Sequence, residues 1–122
     1  MKKTSEEYSL LYDYYGALLS ARQREVYELY HEEDYSLSEI AGRLGVSRQA
    51  VHIALGKAER DLGVFEQKLG LIEKSSARGK AIGEAEAKIG AILKDKERSA
   101  ALDPDVAKDL RRVRKLIKGL DI

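Results

Sequence analysis

The chain has no cysteine and no tryptophan, and only one proline, one phenylalanine and one methionine. Without cysteine there is no disulfide framework and no thiolate zinc site, so a cytoplasmic setting is the expectation. A single proline, Pro104, leaves few breakers against helix formation, and charged residues reach 35% of the chain. Most of these are long, straight-chain residues that lose little freedom in a helix. No run approaches the roughly 20 apolar residues that a membrane span needs, and no apolar signal segment opens the chain. Glycine-rich phosphate loops, nucleophile elbows and metal-ligand spacings are also missing. Adjacent carboxylates such as Glu32 and Glu33 are the commonest way for acids to do nothing chemical. The expectation is a protein that is not an enzyme, with no catalytic residues, no metal, no cofactor and no membrane partner.

What remains is helix, written repeatedly. Tyr8, Leu11, Tyr12, Tyr15 and Leu18 or Leu19 recur at helical spacing and predict a first helix from about Ser5 to Leu19. This tyrosine stripe reads as core, because the basic neighbours that a base-stacking platform needs are replaced by Glu6, Glu7 and Asp13. Ser20 with Gln23, and Ser36 with Glu39, are capping boxes that open a second and a third helix. The second carries Val26, Leu29 and Tyr30 inward and ends in His31-Glu32-Glu33-Asp34, expected as a solvated loop. Gly45 stops the third helix and Ser47 caps the fourth.

Along the fourth helix Val51, Leu55, Ala58, Leu62, Phe65, Leu69 and Ile72 alternate spacings of four and three, a seam that wants a partner along its length. Gly63 and Gly70 lie off the seam and mark where it could break. Ser75-Ser76-Ala77-Arg78-Gly79 is the only linker-like segment, so residues 1–74 read as one domain and 75–122 as a helical extension. In the extension Ile82, Ala85, Ile89 and Ile92 form a second seam. Asp103-Pro104 restarts a helix carrying a third: Val106, Leu110, Val113, Ile117 and Leu120.

The third and fourth helices meet the demands of a helix-turn-helix. Ala41 gives the small residue at the crossing and Gly45 the left-handed turn. Leu37, Ile40, Leu44, Val46, Val51 and Ala54 fall where the two helices bury side chains against each other. In such a motif the second helix lies in the major groove and reads bases with its exposed residues. Here those are Ser47, Arg48, Gln49, His52, Ile53 and Gly56. Arg48 can grip guanine and Gln49 adenine, each bidentately, and Ile53 can meet a thymine methyl. Ser36, Ser38 and Ser47 suit phosphate oxygens at helix starts, and Arg43, Lys57 and Arg60 can reach the flanking backbone.

Residues 11–74 carry a denser signal. The tyrosine-rich opening, "LSARQREVYELYHEEDYSLSEIA", "GVSRQAVH" and "EQKLGL" together resemble the YlxM-like family of small bacterial proteins. The resemblance implies a helix-turn-helix similar to region 4 of bacterial sigma factors; with the periodicity it makes the expected fold all-α, with a long recognition-helix extension and, from the seams alone, a C-terminal helical pair. It implies a DNA-binding regulator encoded beside the GTPase of the signal recognition particle, with components of that particle as further partners. Ser47, Arg48, Gln49 and His52 match its recognition positions. The segment after Ser75 lies outside the resemblance.

Charge qualifies this reading. The chain is nearly neutral at +1, but residues 1–35 hold 4 Lys/Arg against 8 Asp/Glu, and residues 75–122 hold 12 against 8. Phosphates are neutralised locally, so placement matters more than the sum. The acidic N-terminal third predicts modest affinity for double-stranded DNA. It keeps open an alternative: a helical adaptor of the signal recognition particle pathway that binds protein or RNA and has little specific DNA binding. Arg111, Arg112, Arg114, Lys115 and Lys118 concentrate charge on the last helix, where cations complement the helix dipole or contact nucleic acid or an acidic partner. The seams from Val51 to Ile72 and from Val106 to Leu120 predict a homodimer.

Overall fold

The computed structural model describes residues 3–120 and, among them, shows helices and no strand. The α-helices are α1 (Ser5–Tyr15), α2 (Ala21–Tyr27), α3 (Leu37–Leu44), α4 (Arg48–Leu69), α5 (Leu71–Lys94), α6 (Lys96–Ala101) and α7 (Pro104–Lys118). A short 3-10 turn, Gly16–Leu18, follows α1, and a π-helical turn, Glu28–Glu32, prolongs α2. The chain divides into two compact units between Ile72 and Glu73.

Local chemistry explains most of the boundaries. Ser20 and Ser36 each accept the N–H of the residue three ahead, while Gln23 and Glu39 reach back to the cap N–H, completing both capping boxes. Thr4 and Glu7 form a third box at α1, which the sequence reading missed although the T-x-x-E signature stands there. Gly45 (φ 68°) and Gly70 (φ 62°) are left-handed, and each ends its helix there because the chain leaves in a direction a side chain would resist. Gly63 does not interrupt α4.

In the first unit, α4 lies against α1, α2 and α3. Its Val51, Leu55, Ala58 and Leu62 are buried together with Leu11, Tyr15, Leu19, Val26, Tyr27, Leu29, Ile40 and Ala41. The tyrosine stripe of α1 is core, as expected, with Leu19 rather than Leu18 as its final buried member. Tyr12 stacks on Tyr27 with ring centroids 4.7 Å apart, and the Tyr27 hydroxyl donates to the Tyr8 carbonyl at 2.8 Å. Gly16 sits beneath the Tyr12 ring, where a Cβ would come within 2.8 Å of it. Tyr15 is wholly buried and its hydroxyl donates to Glu66 at 2.5 Å. That hydroxyl also accepts the Leu71 N–H at 3.0 Å, and Glu66 accepts the Ile72 N–H at 3.0 Å, so two free donors at the start of α5 are satisfied.

Four expectations are corrected here. The acidic run is a solvated loop only at Glu33 and Asp34: the π turn continues α2 through His31 and Glu32 and holds His31 against Tyr8, Tyr27 and Tyr30, with its Nε2 2.9 Å from Glu59 of α4. Only Glu32, Glu33 and Asp34 face solvent. Ser75–Gly79 is not a linker, since α5 runs through it; serine, alanine and one glycine are tolerated wherever the hydrogen-bond ladder is unbroken. The seam of α4 is consumed inside its own unit from Val51 to Leu62, so that stretch cannot hold a dimer. Val46, expected in the core, is 37% exposed at the rim of an apolar cleft of about 160 Å³ lined by Arg22, Val26, Ala50, Val51 and Ala54.

The second unit has another register than the one predicted. α5 and α7 run antiparallel: Gly90 meets Arg114, Glu86 meets Arg114 and Lys118, and Ile82 shares a cavity lining with Ile117. Ala107 is buried, and Leu110, Arg114 and Ile117 are half-buried, whereas Val106, Val113 and Leu120 are exposed. Ala85 of α5 is exposed as well, its expected inward place being taken by Glu86. The cause is an ion pair at the helix contact, which turns α7 by about one position relative to its purely apolar seam. α6, opened by Asp95, was not foreseen.

Candidate nucleic-acid interface

The turn between α3 and α4 is built as the sequence required. The Val46 N–H closes on the Ala41 carbonyl at 3.1 Å, and Gly45 N–H also bonds Ala41 in its left-handed conformation. Ile40 and Ala41 are buried against Val51. Ser47 then accepts the Ala50 N–H at 3.0 Å and starts α4. At 100° per residue, burying Val51, Leu55, Ala58 and Leu62 turns Gln49, Ile53, Gly56, Lys57 and Arg60 away from the core and leaves His52 at its edge, whereas Arg48, seven residues before Leu55, falls on the seam side and is exposed at the start of the helix. All of these but the half-buried Gly56 are exposed, and Ile53 is 59% exposed although apolar. At Gly56 the bare backbone makes room for the Arg60 guanidinium, 3.3 Å from where a Cβ would stand.

The flanking candidates differ in how free they are. Ser36, Ser38, Arg43 and Ser47 are all exposed, and Ser36 is engaged in its own cap. Glu39 occupies the start of α3 through its bond to the Ser36 N–H at 3.1 Å, and those bonds hold its carboxyl below the usual range. A carboxylate therefore already stands where a phosphate would bind. The start of α4 has no acidic residue in its first turn. Arg43 donates to the Tyr35 hydroxyl at 2.8 Å, with its guanidinium 5.5 Å from that ring centroid. Lys57 pairs with Asp61 at 3.2 Å. Asp61 also accepts from Gln23 of α2 at 2.9 Å, and mainly that bond, with Lys57 second, holds its carboxyl below the usual aspartate value. Gln23, which the sequence marked only as a cap residue, thus spans two jobs: its Oε1 closes the box and its Nε2 fixes the middle of α4.

Among the described residues no group of three or more His, Asp or Glu side chains is placed to hold a metal ion, and no helix is long and apolar enough to cross a membrane. His52 stands alone on the exposed face of α4. Of the C-terminal candidates, Arg111, Lys115 and Lys118 gather with Arg114 around one cavity, while Arg112 does not line it. Arg114, expected outward, is folded onto α5 instead, with its Nε 2.8 Å from Glu86.

Three short helices packed on a long fourth, with a tight left-handed turn between the third and the fourth, are the architecture of a helix-turn-helix protein. Residues 1–102 match the family described as "Putative helix-turn-helix protein, YlxM / p13 like", and the chain belongs to it. It is 39% identical over 114 residues to a UPF0122 protein of Thermoanaerobacter sp., covering 93% of each chain. A UPF0122 protein of Caldanaerobacter subterraneus is 51% identical over 74 residues, 61% of this chain and 63% of its own. One from Listeria welshimeri is 37% identical over 89 residues, 73% of this chain and 81% of its own. The family description names a fold motif and no enzymatic activity.

Proposed function

We propose that the protein is a DNA-binding regulator that reads the major groove with α4. One observation carries this: the exposed start of α4 offers Arg48, Gln49, His52 and Ile53 behind a capping serine, with no acidic residue in its first turn. Bidentate contacts from Arg48 and Gln49 would supply the sequence preference, and Arg43, Lys57 and Arg60 the backbone contacts. Affinity is modest in this reading, because Lys57 must leave Asp61 before it neutralises a phosphate, and α2 and the π turn add acids nearby. A homodimer would place two such helices on successive groove faces about 34 Å apart. With the α4 seam used internally from Val51 to Leu62, the exposed Val106, Val113 and Leu116 of α7, with Leu120 just beyond it, are the apolar stripe left for that contact. The tie to the signal recognition particle rests on the family resemblance alone.

The test is a salt-dependent gel shift against the duplex upstream of the protein's own gene, with an unrelated duplex as control. Arg48→Ala should weaken the preferred duplex by roughly 1–3 kcal/mol more than the control, whereas Lys57→Ala should weaken both alike. The same engaged cations favour a second reading, the protein- or RNA-binding adaptor. Absence of any shift at low salt would establish that reading over the first.

A further inference from the structure

Arg111, Arg114, Lys115 and Lys118 of α7 and Lys94 of α5 line a single cavity of about 470 Å³, floored by Leu93. One acid answers these five cations: Glu86, 2.8 Å from Arg114 and 3.8 Å from Lys118. Lys94, Arg111 and Lys115 make no ion pair among the described residues. Helix-dipole complementation accounts for cations in a last turn, which here are Lys94 on α5 and Lys115 and Lys118 on α7. It does not account for Arg111 and Arg114. These also stand four residues before Lys115 and Lys118, so the helix carries two like-charged pairs at a spacing that destabilises it. The site is seated as well as charged. Glu86 holds Arg114 through Nε, and its guanidinium lies over Gly90, with Nη2 3.2 Å and Cζ 3.3 Å from where a Cβ would be. The planar fork is thus held by an acid on one edge and seated on the bare backbone at Gly90.

We propose that this cleft between α5 and α7 binds the phosphodiester backbone of a nucleic acid, as a contact separate from the base-reading face of α4. It deepens the DNA-binding reading above without depending on Arg48 or Gln49. Phosphate is the chemistry that fits: several cations converge, and one arginine is held in place by an acid. Because base edges play no part, the cleft adds affinity and salt dependence but no sequence preference.

The experiment uses the full chain, a 20-base-pair duplex of arbitrary sequence and fluorescence anisotropy over a salt series. Arg111→Gln with Lys115→Gln, both exposed and so not expected to disturb folding, should lower the slope of log K against log salt by about 2, near 0.9 for each phosphate no longer neutralised. Arg112→Gln, on the same helix but outside the cleft, should leave the slope as it is. Arg48→Ala with Gln49→Ala should abolish any preference between duplexes while the slope change on removing Arg111 and Lys115 persists. If no preference exists to abolish, the base-reading assignment fails and the cleft still stands on its slope. An unchanged slope in the Arg111/Lys115 variant overturns the cleft, as does an equal fall in the Arg112 variant, which would mean diffuse helix charge. No duplex binding at low salt overturns it too. Tripolyphosphate, titrated as a free-phosphate probe, should compete only at millimolar concentration. Micromolar competition that disappears in the Arg111/Lys115 variant would reassign the cleft to soluble polyphosphates.

Discussion

The two units of this chain are stabilised in different ways. The first surrounds α4 with a core of twelve buried apolar side chains, four of them its own, and all seven tyrosines of the chain lie within it. The second buries Ala107 and Gly90 among its described residues and leaves Val106, Val113, Leu116 and Leu120 more than 40% exposed. Its best-defined tertiary contact is polar, Arg114 on Glu86. The difference shows what a long amphipathic helix needs. α4 meets three helices and buries its seam from Val51 to Leu62, whereas α7 meets α5 through Arg114 and Lys118 and keeps an apolar stripe to spare. A motif that must present a rigid reading face sits in the first kind of unit. The second kind is suited to contacts made with something else.

The largest test of this contrast is a cavity. Leu62→Ala removes a fully buried side chain and should cost about 2–5 kcal/mol, while Leu110→Ala, half-buried on α7, should cost clearly less. Urea unfolding followed by tyrosine fluorescence sees only the first unit, and helical circular dichroism sees both. Equal losses for the two variants would break the comparison. Gly45→Val should follow, at about 1–2 kcal/mol, because a β-branched side chain is strained at φ 68°. An unaltered melting temperature would mean that the turn relaxes at no cost.

Tyr27→Phe should lose about 1 kcal/mol by removing the bond to the Tyr8 carbonyl. The same hydroxyls sharpen the contrast in alkali. Burial raises Tyr8, Tyr12, Tyr15 and Tyr27 above the ordinary phenol value, with Glu59, Glu28 and Glu66 adding to the effect. A raised folded pKa means stability that is complete below the unfolded value near 10 and lost as pH climbs beyond it. Alkaline unfolding should therefore strike the first unit first. The smallest expected effect lies in the second. Arg114 holds the Glu86 carboxyl below its usual value, so the stabilisation is present above about pH 4.3 and fades as pH falls through the lower, folded value. Glu86→Gln should flatten that acid limb in a pH-resolved melt. A limb as steep as before would place the acid sensitivity elsewhere.

Helix punctuation was legible because each signal is local. Ser20 with Gln23, Ser36 with Glu39, Gly45, Ser47 and Asp103-Pro104 stand at the boundaries the sequence assigned to them. So was the exposed face of α4, since burying a 4-3 seam on one side fixes the other. The second unit was harder because apolar residues span too wide an arc of α7. Val106, Val113 and Leu120 compete with Ala107, Leu110 and Ile117, and only the pairing of Arg114 with Glu86 decides between them. That pairing joins residues 28 apart, and no local pattern announces it. His31 was misplaced for the same reason: a histidine in an acidic run looks solvated until Glu59 and three tyrosine rings are seen around it.

The π turn at Glu28–Glu32 has a consequence for chain length. Such a turn is an α-helix accommodating one surplus residue, and the surplus rotates all that follows by about 100°. Here that rotation carries His31 to Glu59 and delivers the chain, through Asp34 at φ 57° and the Tyr35 N–H bonded to Leu29, to the cap of α3. A relative lacking a single residue in this window would be free to form an unbroken α-helix. It would then lose the link between the end of α2 and α4 while keeping nearly every side chain of the motif, so a one-residue deletion here would outweigh many substitutions.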